Sequence, residues 1–247
     1  MTWTVVALPT MLGLALLVAL TTAVLASRGV PRWSAPGLAV LRAAAQLAAL
    51  GLVLSTVVER LAWVAAALGV MLVAAVLTAA RRLRADRRET LWLGGAMLLA
   101  AGTTLAIVFL TGAITTAPQN LLAVGGIVVG NTMSVATLTG RRFRADVVER
   151  REEVEAWLAL GATPRRSTLE IARRAVLEAL VPTVDQTRTT GVVVLPGAFV
   201  GAVFAGASPL EAGRFQLVVL AGILAAGSLV AVALVEVLGR ARTVPTA

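Results

Sequence analysis

The chain has 247 residues, 58% of them hydrophobic, and a net charge of +9 in which all 22 basic residues are arginine, with no histidine or cysteine. A mean hydropathy of +0.89 excludes an ordinary soluble domain, because no soluble core of this size needs so much apolar sequence. Without lysine there is no phosphate-binding loop ending in Gly-Lys-Ser/Thr, and without cysteine or histidine the usual zinc, copper and iron–sulfur ligands and the commonest general base are missing.

A helix crosses the roughly 30 Å hydrocarbon layer with about 20 apolar residues. Seven runs meet that need: Thr4 to Ala26, Leu38 to Val58, Leu61 to Ala80, Leu91 to Thr111, Leu121 to Thr139, Thr190 to Ala207 and Phe215 to Val235. The first lacks the basic flank of a cleaved signal peptide and reads as a retained helix. The uncharged stretch Thr90 to Gly140 is too long for one crossing. Its middle, Thr111 to Asn120, is turn-rich and separates two spans. The fold class expected is therefore an all-α integral membrane protein of about seven transmembrane helices, forming one domain over residues 1–247.

Arginine sets the orientation. With the N-terminus outside, the inner segments hold Arg28 and Arg32, the Arg81 to Arg88 group, the Arg141 to Arg188 block, and Arg240 with Arg242, whereas the outer loops hold only Arg60 and Arg214. The positive-inside rule then places the C-terminus in the cytoplasm, and the Ala/Val/Leu/Arg bias suits a high-GC bacterial genome and so a bacterial inner membrane. The arginines are split among membrane-flanking loops without stacking aromatics, which argues against nucleic acid as a partner.

The longest polar segment lies between the fifth and sixth spans. From Phe143 the apolar positions Val147, Val154, Leu158 and Gly161 fall near helical spacing, with Glu149, Arg150, Arg151, Glu152, Glu153 and Glu155 on the other faces. Gly161 suits the left-handed position that ends a helix, and Thr163-Pro164 supplies an N-cap and first-turn proline for the next. That second helix, Pro164 to Val181, carries Glu170, Arg174 and Glu178 as an i, i+4 ladder, and Pro182 closes it. From the residues alone the pair is either an interfacial linker or a device on which a partner docks.

Glu155-Ala156 and Gly161, followed by Ile171, resemble the EAA loop of ABC importer permeases. Trp157 stands where that loop usually has alanine, and Arg173-Arg174 where it has Leu-Pro. A fuller pattern comes from Ala179-Leu180-Val181-Pro182-Thr183-Val184-Asp185, Gly191, Leu195-Pro196-Gly197, Gly201 and Phe204-Ala205-Gly206. With Leu160-Gly161-Ala162-Thr163-Pro164, Gly130-Asn131-Thr132-Met133, Arg42 and Gln46, it resembles the FetB family of ABC transporter permeases, implicated in iron export, and related plant aluminium-tolerance membrane proteins.

The resemblance implies a permease subunit working as a homodimer, with a separate cytoplasmic ATPase that binds ATP and magnesium while this chain binds no cofactor itself. Glu155, Ala156, Leu160, Gly161, Ala162, Thr163 and Pro164 would form the coupling contact, and the cargo would be iron or a related metal. Arg42, Gln46, Asn131, Met133, Asp185, Pro196 and Gly197 are the candidate substrate-path residues.

Each has a plainer reading. Arg42 snorkels to the interface while Gln46, deeper on the same face, lines a cavity or bonds a neighbouring helix. Gly130-Asn131, with Gly125 and Gly126, reads as tight packing plus an interhelical hydrogen bond, and the same question attaches to Met133. Leu195-Pro196-Gly197 kinks a span, or breaks it so that freed carbonyls coordinate cargo. Gly191, Gly197, Gly201 and Gly206 offer small faces for helix packing. Asp185 pairs with Arg188 at i, i+3 near the inner interface, or serves as an oxygen ligand at the mouth of a cation route. No ionisable residue falls at the centre of an expected span, which counts against proton coupling. A channel or secondary transporter, a membrane scaffold and an ABC permease for a sugar or lipid remain the rivals.

Overall fold

Capping chemistry sets many of the helix boundaries in the computed structural model, which describes residues 3–57 and 60–239. The chain divides into two compact units, Met1–Glu59 and Arg60–Ala247. The expected inner arginines Arg240 and Arg242, and Val58 at the end of the second span, lie outside the described residues.

The first unit is a hairpin of α1 (Trp3–Ser27) and α2 (Ala35–Val57). Gly29 ends α1 in the left-handed region at φ 62, and the Val30 amide reaches back to the Leu25 carbonyl at 3.0 Å, the pattern of a Schellman turn. Gly37 lets the helices approach, since a Cβ there would lie 3.2 Å from Val18 Cγ1. Leu12, Leu16, Leu20, Leu38, Leu41 and Leu47 are all exposed, as expected of a hairpin whose solvent is lipid.

The second unit contains α3 (Leu61–Leu83), α4 (Arg87–Leu110), α5 (Pro118–Glu149), α6 (Arg151–Ala159), α7 (Pro164–Ser167), α8 (Leu169–Thr189), α9 (Gly197–Phe204) and α10 (Pro209–Leu238). Asp86 and Glu89 form a reciprocal capping box at the start of α4, and Ser208 and Glu211 do the same for α10. Pro118 and Pro209 occupy first-turn positions where a missing N–H costs nothing. The core is a seam of small and β-branched side chains around α10, which packs against α4, α5, α8 and α9. Its Ala226, Val230 and Ala231 are fully buried. The α3–α5 contact depends on glycine: a Cβ on Gly125 would stand 2.7 Å from Leu68 Cδ2, and one on Gly140 2.8 Å from Leu83 Cδ2.

Among the described residues five helices are long and apolar enough to cross a membrane: Leu8–Ser27 within α1, then α3, α4, α5 and α10. The chain is a multi-pass, all-helical membrane protein. The sixth expected span, Thr190 to Ala207, is not a continuous helix. Thr190 and Val194 form an isolated bridge, Gly191 takes φ 87, and the Gly191 amide donates to the Val194 carbonyl at 2.9 Å. Three β-branched valines follow the glycine, and Leu195, the residue before Pro196, belongs to no helix. Helix resumes only as the eight residues of α9, about 12 Å long.

The boundary expected at Pro182 also fails, because α8 runs through it to Thr189. Packing of Ala175, Ala179 and Thr183, all buried, outweighs the one lost backbone hydrogen bond. The helix expected to run on from Phe143 is two helices, broken at Arg150 where α5 gives way to α6.

Candidate functional site: a projecting helix pair and a polar helix beside α10

Glu155, Ala156, Leu160, Gly161, Ala162, Thr163 and Pro164 come together in one feature, the α6–α7 corner. Val154, 2% exposed, anchors α6 to the bundle, whereas Leu160 is 82% exposed and Trp157 and Leu158 are also uncovered. Gly161 has the expected left-handed backbone, φ 86. Its amide donates to the Leu158 carbonyl at 2.9 Å and the Ala162 amide to the Trp157 carbonyl at 3.0 Å, which satisfies carbonyls a helix end would otherwise leave bare. Thr163 then caps α7, its hydroxyl accepting from the Arg166 amide at 3.4 Å. Arg151 Nε donates to Glu155 Oε1 at 2.6 Å. That hydrogen bond, then the carboxylate's charge, raises the guanidinium above its ordinary pKa. The corner is a stiff, apolar-tipped projection from the end of the bundle.

Beyond the corner, α8 turns back along the bundle antiparallel to α10. Thr168 Oγ1 lies 3.1 Å from a Cβ placed on Gly239, and Leu180 Cδ2 lies 3.4 Å from one on Gly227. The two members of each helix's pair are twelve residues apart, so both helices advance about 18 Å between the contacts. Arg165 to Glu236 at 2.7 Å ties α7 to the same end of α10, and Arg142 to Glu178 at 3.4 Å ties α8 to α5. The helix lying antiparallel to α10 over this length is therefore α8, which bears Glu170, Arg173, Arg174, Glu178, Asp185 and Arg188.

In this register Asp185 stands about 7.5 Å past Leu180 along the helix, level with the Gly222 region of α10. Asp185 Oδ1 and Arg188 are 3.9 Å apart and both are exposed, so the expected i, i+3 pairing is present but loose. In the expected ladder, Arg174 does meet Glu178, at 2.9 Å, while Glu170 pairs with Arg173 at 3.5 Å instead.

The remaining candidates of the second unit do not converge. Arg42 and Gln46 are exposed on α2, one turn apart, in the first unit. Asn131 and Met133 lie on different sides of α5. Asn131 Oδ1 is buried without a hydrogen-bond partner, 3.4 Å from a Cβ on Gly227, so the expected interhelical bond is not made. Met133 lines a groove of ≈ 230 Å³ with Met71, Thr78, Gly126 and Gly130 between α3 and α5. Pro196 and Gly197 are the N-cap and first residue of α9. Gly191 and Gly206 serve turns with positive φ, and none of Gly191, Gly197, Gly201 and Gly206 has a heavy atom within 4 Å of its Cβ position. Of the fifth-span glycines, Gly125 and Gly126 are closely packed, but Gly130 is open. Among the described residues no three acidic side chains gather as a metal-ligand set.

The sequence reading missed a cleft of ≈ 1120 Å³ between the α6–α7 corner and the ends of α3, α5 and α10. Beside it Arg144 bonds both the Leu83 carbonyl and Glu89, the latter at 2.7 Å. The arginine runs at 81–88 and 141–144 were its signal in sequence.

The pattern of the Uncharacterised protein family (UPF0014) matches residues 8–242. The UPF0014 membrane protein STAR2 of rice is 37% identical over 184 residues, 74% of this chain and 65% of its own length. The Escherichia coli protein named "Probable iron export permease protein FetB" is 34% identical over 134 residues, 54% of this chain and 52% of its own. The UPF0014 membrane protein YjkA of Bacillus subtilis is 32% identical and covers 80% of both chains. The chain thus spans under two thirds of the rice protein. No solved structure matches. The chain belongs to the UPF0014 family.

Proposed function

We propose, from membership of that family, that this chain is the membrane subunit of an ABC-type exporter of iron or a related metal, acting as a homodimer. A separate cytoplasmic ATPase would dock on the α6–α7 corner, which puts the N-terminus outside and the C-terminus in the cytoplasm of a bacterial inner membrane. The observation that carries this reading is the corner itself: Trp157, Leu158 and Leu160 are displayed on a capped, rigid projection, and a projection of that kind suits a partner better than solvent. The name of the Escherichia coli relative supports the cargo. ATP and magnesium would sit on the partner, whose closure pushes on Glu155 to Pro164.

In this reading α8 lines the path. Charged side chains alongside the apolar stretch of α10 are costly in lipid and tolerable where they face a water-filled cavity. A symmetric second copy would enclose that face, bringing Asp185 of each protomer to one route.

The same helix supports a second reading, a secondary transporter, because Asp185 is an ionisable group at the depth such proteins use. Purification from the native membrane separates the two. A cassette ATPase recovered with the native chain, and lost with Gly161→Arg while the bundle's melting temperature holds, supports the ABC reading. A chain that purifies alone and transports without ATP overturns it.

A further inference from the structure

We infer that the cleft behind the α6–α7 corner is a binding site for a phosphate-bearing anion. Its ≈ 1120 Å³ volume is of ligand size, and its charge is unbalanced once internal pairing is accounted for. Glu89 is held by Arg144 and by the Asp86 amide, and Asp86 accepts from the Glu89 amide. Arg82, Arg84 and Arg141 also open on the cleft, exposed, and no carboxylate of the described residues pairs with any of them. Glu149 is the one lining acid without a hydrogen bond or ion pair there. Three guanidiniums without ion pairs thus face two carboxylates without ion pairs, Asp86 and Glu149, an excess of positive charge, and guanidinium forks match phosphate oxygens two at a time.

Arg84 is placed there at a cost. It ends α3 in the left-handed region at φ 49, where glycine is the usual occupant. The opposite wall is apolar and belongs to the corner: Val154 and Leu158 from α6, with Pro164 from α7. An anion bound to Arg84 and Arg141 with its body on that wall would tie the α3–α4 turn to α6. On the proposed function it would thereby set how far the docking corner stands from the bundle. The same chemistry is offered by a soluble phosphate compound and by an anionic lipid headgroup.

The chain has no cysteine, so Trp157→Cys gives a single labelling point on α6. The labelled full chain, alone in phosphatidylcholine nanodiscs, is titrated with pyrophosphate and then compared in discs containing phosphatidylglycerol. A saturable change in label emission is expected. Its midpoint should weaken by about tenfold or more in Arg84→Gln/Arg141→Gln, partly recover in Arg84→Lys/Arg141→Lys, and hold in Arg87→Gln/Arg88→Gln, which lies outside the cleft.

If phosphatidylglycerol alone produces the change and blocks pyrophosphate, the ligand is a headgroup; if it has no effect, the ligand is soluble. No response to either probe in the parent protein, or equal weakening by the Arg87/Arg88 variant, overturns the inference. Because the ATPase is absent, failure here is distinct from failure of the transporter assignment.

Discussion

Leu180 of α8 and Gly227 of α10 meet where three helices converge: a Cβ on Gly227 would lie 3.4 Å from Leu180 Cδ2, 3.4 Å from Asn131 Oδ1 and 3.3 Å from Val135 Cγ2. Gly227→Leu has no space to enter. It should destabilise the bundle by about 1–3 kcal/mol through overpacking, read by thermal unfolding in detergent. Leu180→Ala should recover part of the loss in the double variant. Independent, additive effects would mean that α8 does not lie against α10 in this register.

Two glycines of α5 should behave oppositely. Gly140→Ala drives a methyl to 2.8 Å from Leu83 Cδ2, and Leu83 is buried with its carbonyl held by Arg144. A loss of about 1–3 kcal/mol is expected. Gly130→Ala meets nothing within 4 Å and should be neutral, or stabilise by up to about 1 kcal/mol through helix propensity. The comparison needs only melting temperatures of the two variants.

Arg144→Ala removes both the Leu83 carbonyl bond and the Glu89 ion pair. With the arginine side chain about one quarter exposed, the expected cost is about 1–3 kcal/mol. Arg144→Lys should recover less than half, because an ammonium does not reproduce the forked geometry. Full recovery with lysine would show that charge alone matters.

Asp185→Asn tests the path. Asp185 is exposed on α8 and its nearest cation, in Arg188, is 3.9 Å away, so folding should survive and the melting temperature should stay within about 0.5 kcal/mol equivalent. Export of radiolabelled iron from cells should fall about tenfold or more if the carboxylate attracts the cargo. Normal export at normal protein level would remove Asp185 from the route.

The long apolar helices were legible because their runs exceed anything a soluble core requires; Leu61 to Ala80 and Phe215 to Val235 fall inside α3 and α10. The α6–α7 corner was legible for another reason, since Gly161 and Thr163-Pro164 are local stop and start signals that act without tertiary help. The position of α8 was hidden. Its charges point away from Ala175, Ala179 and Thr183, so average hydropathy scores it as polar linker while its small face packs as core. Conversely, Val192 to Leu195 scores as membrane span but is held in a turn by Gly191 and Pro196. The cleft escaped because its arginines were already accounted for by topology, and only folding shows which of them lack carboxylates.

The exchange of roles between α8 and the valine-rich turn bears on how the protein is made. A polar segment such as Leu169 to Thr189 does not leave the translocation machinery for lipid by its own partitioning, and the α10 surface that shelters it is synthesised later. During synthesis α8 has to wait at the surface, or in the machinery's aqueous interior, until Pro209 to Leu238 emerges and the two enter together. Chains ending before α10 would leave α8 without the surface it packs on, and the α6–α7 corner without its Arg165–Glu236 tie.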